Sequence, residues 1–132
     1  MTGMAASPLM QSRRVLLADD DHAFRMMLGR VMGIIGFDVT YAEDGKRALT
    51  LFDQADGAFD LLITDICMPE MNGNDLIKAI RQRDHAIPII AITGFAEQEL
   101  LGEIASSKAT LFEKPVNFKA LRAHVDTLKL IE

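Results

Sequence analysis

The chain has 132 residues, 49% of them hydrophobic and 25% charged, which is the balance of one packed domain and too apolar for a disordered segment. Its net charge is −5 and no run of Lys or Arg exceeds a pair such as Arg13-Arg14, so the basic footprint of a nucleic-acid binder is missing. The single cysteine, Cys67, excludes an internal disulfide and fits a reducing, cytoplasmic setting, and it cannot build a zinc site with His22, His85 and His124, which are scattered.

Residues Met1 to Ser12 carry no charged side chain and no sustained apolar core, so 1–12 reads as a flexible tail rather than a signal peptide, and 13–132 as the domain. Val15 to Ala18 is a short aliphatic run that suits a first strand. Phe24, Leu28, Val31 and Ile35 then recur at helical spacing until Gly36 ends the helix. Asp21, at the start of that helix, is placed to cap it. Phe37 to Ala42 suits a second strand, and Ala48, Leu49 and Phe52 mark a second helix. Leu61 to Thr64 forms a third strand, followed by a turn at Met68-Pro69 and Met71-Asn72-Gly73 and by a helix carrying Leu76, Ile77 and Ile80. Ile87 to Thr93 forms a fourth strand, and Leu100, Leu101 and Ile104 mark the helix after it. Leu111-Phe112 is the fifth strand, and Phe118, Leu121, Val125 and Leu128 stripe the fifth helix.

Five strand–helix units in series dictate a parallel sheet with helices on both faces, a doubly wound α/β fold, because parallel strands need right-handed crossovers. The longest apolar stretch, Ala86 to Ala96, is broken by Pro88, Thr93 and Gly94 and falls short of the ~20 residues of a membrane-spanning helix.

Ligand sites in such sheets lie beyond the carboxyl ends of the strands. Asp19 and Asp20 follow strand one, Asp65 ends strand three, Thr93 ends strand four and Lys114 ends strand five, so all fall at one edge. Carboxylates that close repel by roughly 4 kcal/mol per pair at ~4 Å and an effective dielectric near 20. A hard divalent cation relieves this best, and Mg²⁺ takes a few carboxylates while leaving positions for phosphate oxygens. The Lys114 ammonium and the Thr93 hydroxyl suit phosphoryl oxygens as well. The set points to phosphoryl transfer.

The segments Leu17-Ala18-Asp19-Asp20-Asp21, Asp65-Ile66-Cys67-Met68-Pro69-Glu70-Met71-Asn72-Gly73, Ile92-Thr93-Gly94 and Glu113-Lys114-Pro115 stand in the order and spacing of a known family. From about Arg14 to Leu130 the chain resembles the response-regulator receiver domain of two-component signalling. The resemblance implies a flavodoxin-like sheet of strand order 2-1-3-4-5. It implies that Asp65 is the phosphoacceptor, and that Asp19, Asp20, Asp65 and the backbone carbonyl of Cys67 hold Mg²⁺. Thr93 and Lys114 would contact the phosphoryl group, and a cis peptide bond would precede Pro115. It further implies a histidine kinase or histidine phosphotransfer protein as donor, an undefined protein target as output, and no enzymatic turnover beyond self-phosphorylation and self-dephosphorylation. Neither nucleic acid nor membrane is an expected partner of this domain.

Two other readings compete: a pseudo-receiver that binds partners without phosphorylation, and a Mg²⁺-dependent phosphohydrolase using Asp19-x-Asp21. Met26, Met27 and Met32 cannot all face the core if Phe24, Leu28, Val31 and Ile35 do, and an exposed methionine beside the acidic edge is a candidate docking contact for the phosphodonor. The chain departs from the family pattern where Leu111 stands three residues before Lys114, a place commonly held by Tyr or Phe. Phe112 should point to the opposite face by strand alternation. Cys67 and Phe95, two residues past Asp65 and Thr93, offer no group to orient water, which implies a long-lived acyl phosphate.

Overall fold

A computed structural model describes residues 13–94 and 98–131, with residues 98–100 described by backbone alone. The expected tail over 1–12 and the reading of Phe95 lie outside the described residues. In chain order the elements are β1 (Arg13–Ala18), α1 (His22–Ile35), β2 (Phe37–Ala42), α2 (Gly45–Gln54), β3 (Leu61–Asp65), α3 (Gly73–Arg83), β4 (Ile89–Thr93), α4 (Gln98–Ser106), β5 (Thr110–Glu113) and α5 (Phe118–Thr127). The five strands form one parallel sheet of order β2-β1-β3-β4-β5. This is the doubly wound arrangement expected.

Strand alternation divides the core into two layers. Leu16, Ala18, Leu62, Ile89 and Ala91 pack with Phe52 of α2, Leu76, Ile77 and Ile80 of α3, and Ile104 of α4. Val15, Leu17, Leu61, Ile63, Ile90 and Ile92 face the other way, onto Leu28, Met32 and Ile35 of α1 and Leu121 and Val125 of α5. The central strands β3 and β4 are buried along their whole length, as strands covered on both faces must be.

Two details differ from the sequence pattern. The buried stripe of α1 is Leu28, Gly29, Met32 and Ile35, while Phe24 and Val31 are only half-buried. Met32 is therefore core and Met26 and Met27 are exposed, because a helix wheel alone leaves the choice between adjacent Val31 and Met32 open. Strand β4 starts at Ile89 rather than Ile87. Pro88 has no N–H to give a ladder, and the Ile87 carbonyl is taken by Arg81 Nη1 at 2.6 Å.

Caps fix the helix ends that surround the sheet edge. Asp21 Oδ1 accepts the Phe24 N–H at 3.2 Å, Asn72 Oδ1 accepts the Asp75 N–H at 2.9 Å, and Asn117 Oδ1 accepts the Ala120 N–H at 3.0 Å. Gly36, with φ of 128°, turns the chain out of α1 in a conformation that disfavours any other residue.

Candidate functional site

Register brings the expected residues together. Ala18 lies opposite Thr64, Asp65 opposite Ile92, and Thr93 opposite Glu113. The residues at or just beyond these positions, Asp19, Asp65, Thr93 and Lys114, therefore share one end of the sheet. Ligand atoms of Asp19, Asp20 and Asp65 lie within 4.8 Å of one another, a cluster that could hold a metal ion. Lys114 Nζ lies 3.6 Å from Asp65 Oδ2 and 3.8 Å from Asp19 Oδ2. The Lys114–Pro115 peptide bond is cis.

The two buried carboxylates, Asp19 and Asp65, are held by backbone. Asp19 is 1% exposed; its Oδ1 accepts the Asp21 N–H at 2.9 Å, and its own N–H donates to the Ala42 carbonyl at 3.1 Å. Arg25 Nη1 donates to the Asp19 carbonyl at 2.7 Å, fixing the β1–α1 loop from the first turns of α1. Asp65 is 6% exposed and its Oδ1 accepts the Ile66 N–H at 2.8 Å, which leaves Oδ2 facing Lys114. Asp20 is exposed. Gly73 lets α3 start directly against this loop: its N–H donates to the Ile66 carbonyl at 2.8 Å, and a Cβ there would sit 2.0 Å from the Asp65 carbonyl oxygen.

Burial makes these charges costly. Desolvation pushes the Asp19 carboxyl up to about 6; the Asp21 N–H and Lys114 pull it down, while Asp65 and Asp20 add to the rise. Asp65 is raised as well, again chiefly by burial, against the opposing pull of Lys114 and of the N–H groups of Ile66 and Cys67. Within 4.8 Å each ionised pair repels by at least about 3.5 kcal/mol for an effective dielectric near 20. One lysine cannot neutralise three carboxylates, and the donors are all hard oxygens of the kind Mg²⁺ accepts.

The remaining expected residues surround this cluster. Thr93 is buried at the end of β4, and its carbonyl accepts the Lys114 N–H at 2.8 Å. Cys67 is exposed; with Asp20, Ile66, Met68, Pro69 and Asn72 it lines an open cavity of about 420 Å³ beside the carboxylates. Leu111 packs on the α3–α4 side and Phe112 on the α1–α5 side, where its ring meets His124 edge-on at 5.8 Å. Alternation thus keeps Phe112 out of the place that Leu111 fills. Asp21 does not join the cluster, since its carboxylate caps α1.

One contact was not foreseen. The Lys114 ammonium lies 4.6 Å from the centre of the Phe24 ring. The reading of Phe24 as a core residue missed this. The available signal was parity: Lys114 follows Phe112 by two residues and so faces α1, where Phe24 stands one turn after the acidic pair.

Among the described residues no helix is long and apolar enough to cross a membrane. The family model of the response regulator receiver domain matches residues 15–126. The chain is 36% identical over 114 residues to the transcriptional regulatory protein CpxR of Escherichia coli K12, covering 85% of this chain and 47% of CpxR. It is 34% identical over 116 residues to the sensor protein EvgS of the same strain, covering 86% of this chain and 9% of EvgS. The chain thus spans less than half the length of these relatives. Chemotaxis protein CheY4 of Vibrio cholerae has a solved structure that superposes with a TM-score of 0.79 at 30% identity, over 89% of this chain and 99% of that one. Sheet order, edge geometry and sequence agree: the chain belongs to the response regulator receiver domain family of two-component signalling.

Proposed function

We propose that this receiver domain accepts a phosphoryl group on Asp65 from a histidine kinase or histidine phosphotransfer protein and signals by protein contact. The observation that carries the reading is the position of the Asp65 carboxylate, buried between two further carboxylates and a lysine at the sheet edge.

In this reading Asp19, Asp20, Asp65 and the Cys67 carbonyl hold Mg²⁺, whose charge offsets that of the incoming phosphoryl oxygens. A carboxylate oxygen of Asp65 attacks the phosphorus of a phosphohistidine. The new P–O bond forms as the P–N bond breaks, and the imidazole nitrogen leaves with the electron pair. Lys114 places positive charge where the phosphoryl oxygens arrive, and the Thr93 hydroxyl stands at the adjacent strand end. Water later attacks the phosphorus, releasing inorganic phosphate and restoring the carboxylate. Exposed Met26 and Met27 on α1, at 44% and 47% exposure, offer the phosphodonor an adaptable apolar contact.

A phosphohydrolase built on Asp19-x-Asp21 is disfavoured, because the second carboxylate of that motif is committed to the Phe24 N–H. A pseudo-receiver is disfavoured by the presence of the whole set of carboxylates, hydroxyl and lysine. The test is incubation with Mg²⁺ and acetyl phosphate, followed by intact mass. A single phosphoryl adduct that is absent in Asp65→Asn supports the proposal. No adduct from acetyl phosphate or from any histidine kinase would leave the pseudo-receiver, and many phosphates released per chain would favour the hydrolase.

A further inference from the structure

Among the described residues the ammonium of Lys114 lies near Asp65 Oδ2 at 3.6 Å, Asp19 Oδ2 at 3.8 Å and the face of Phe24 at 4.6 Å. Neither carboxylate is close enough for a short charge-assisted hydrogen bond, so charge alone does not fix where Nζ sits. A four-carbon stem that is about a quarter exposed has ample rotamer freedom to swing into solvent. The ring supplies what the carboxylates lack. Its negative π face attracts the cation, and its bulk covers one side of Nζ against water, which strengthens both ion pairs.

Local structure holds the ring itself in place. Phe24 lies in the first turn of α1, its N–H is tied to the Asp21 cap, and the next residue, Arg25, is anchored to the Asp19 carbonyl. The ring packs against the α1–α5 core layer and remains half-buried. It therefore moves with the loop that carries Asp19 and Asp20, and couples Lys114 on β5 to the acidic pair after β1.

We propose that Phe24 is a positioning residue for Lys114, holding the ammonium by a cation–π contact where phosphoryl oxygens on Asp65 will arrive. This rests on the phosphoacceptor reading and deepens it. The ring touches no reacting atom. Its effect is on the rate of phosphoryl uptake.

The experiment compares wild type with Phe24→Leu, Phe24→Tyr and a series in which Phe24 carries one, two or three ring fluorines. Acetyl phosphate with Mg²⁺ serves as donor, and the rate is followed by intact mass. Leu keeps apolar bulk without a π face and should slow uptake by about five-fold, the effect of one partly desolvated cation–π contact. Tyr should restore the rate, and successive fluorines, which drain the ring face of electron density at nearly constant shape, should lower it in steps. All rates are compared at saturating Mg²⁺, so that the altered Lys114 ion pairs to Asp19 and Asp65 do not enter through metal occupancy. A flat rate across the fluorine series, or an unchanged rate in Phe24→Leu, overturns the proposal. A second readout needs no phosphorylation: the ring current of Phe24 should shift the Lys114 ε-methylene proton resonances upfield in wild type and not in Phe24→Leu. If that shift is present but wild type accepts no phosphoryl group, the positioning contact stands and the phosphoacceptor reading fails. If it is absent, the positioning contact fails whatever the phosphorylation result.

Discussion

Replacing Asp19 with Asn should stabilise the Mg²⁺-free protein at neutral pH, although it removes a side chain of the proposed metal site. The folded chain raises the Asp19 carboxyl from 3.8 to about 6, so the folded state holds this proton more tightly than the unfolded state. The sign follows from linkage: stability from this group is complete below pH ~4, declines as pH rises through ~6, and above that the charged carboxylate costs about 3 kcal/mol. Asn keeps the shape and an oxygen for the Asp21 N–H, now 2.9 Å from Asp19 Oδ1, and the pull of that N–H and of Lys114 on the charged form is already contained in the raised value. The expected gain is therefore up to about 3 kcal/mol at pH 7.5 in the presence of a chelator, a rise in Tm of up to roughly 10 °C. Urea denaturation at pH 7.5 and pH 4 measures it. At pH 4 the advantage should vanish, because the wild-type carboxyl is then protonated in the folded chain. A variant less stable than wild type at pH 7.5, or a gain that persists undiminished at pH 4, would refute the reasoning.

Adding Mg²⁺ at pH 7.5 should raise the Tm of wild type and leave Asp19→Asn nearly unmoved, and the wild-type effect should fade below pH ~5 as protons compete for the raised carboxyls of Asp19 and Asp65; calorimetric scans across pH read this directly. Gly73→Ala should destabilise by about 1–3 kcal/mol in urea titrations despite the better helix propensity of Ala, because the new Cβ would meet the Asp65 carbonyl oxygen at 2.0 Å and the Ile66 Cα at 2.8 Å. Cys67→Glu puts a carboxylate beside the acceptor and should speed loss of the acyl phosphate, by up to roughly a hundred-fold if it acts as a general base; an unchanged decay of the mass adduct would count against the idea that Cys67 contributes to a long lifetime.

The layering of the fold was legible because periodicity records it. Leu17 and Ile63 face α1 and α5 while Leu16 and Leu62 face the other helices, as period two demands. The same rule placed Leu111 and Phe112 on opposite faces. Strand ends were legible through charge, since Asp65 and Lys114 interrupt apolar runs where the chain leaves the sheet. Choices that depend on contacts between distant segments were harder to read. Val31 and Met32 are both apolar, and the packing of α1 on β1, β2 and β3 selects Met32 for the core. Ile87 looks like strand, yet a guanidinium from α3 claims its carbonyl. Phe24 fits a core stripe by spacing, and its contact with Lys114 requires knowing how β5 and α1 lie across the sheet edge.

The central claim is that Asp65 becomes an acyl phosphate with the help of the carboxylates beside it. Reductive trapping with labelled borohydride, after incubation with acetyl phosphate and Mg²⁺, tests this most directly, because hydride converts an aspartyl phosphate to a stable alcohol that peptide mapping can locate. The account predicts label at position 65 alone, dependent on Mg²⁺ and absent in Asp65→Asn. Label at another residue, or none from a chain that is folded and Mg²⁺-loaded, would contradict it.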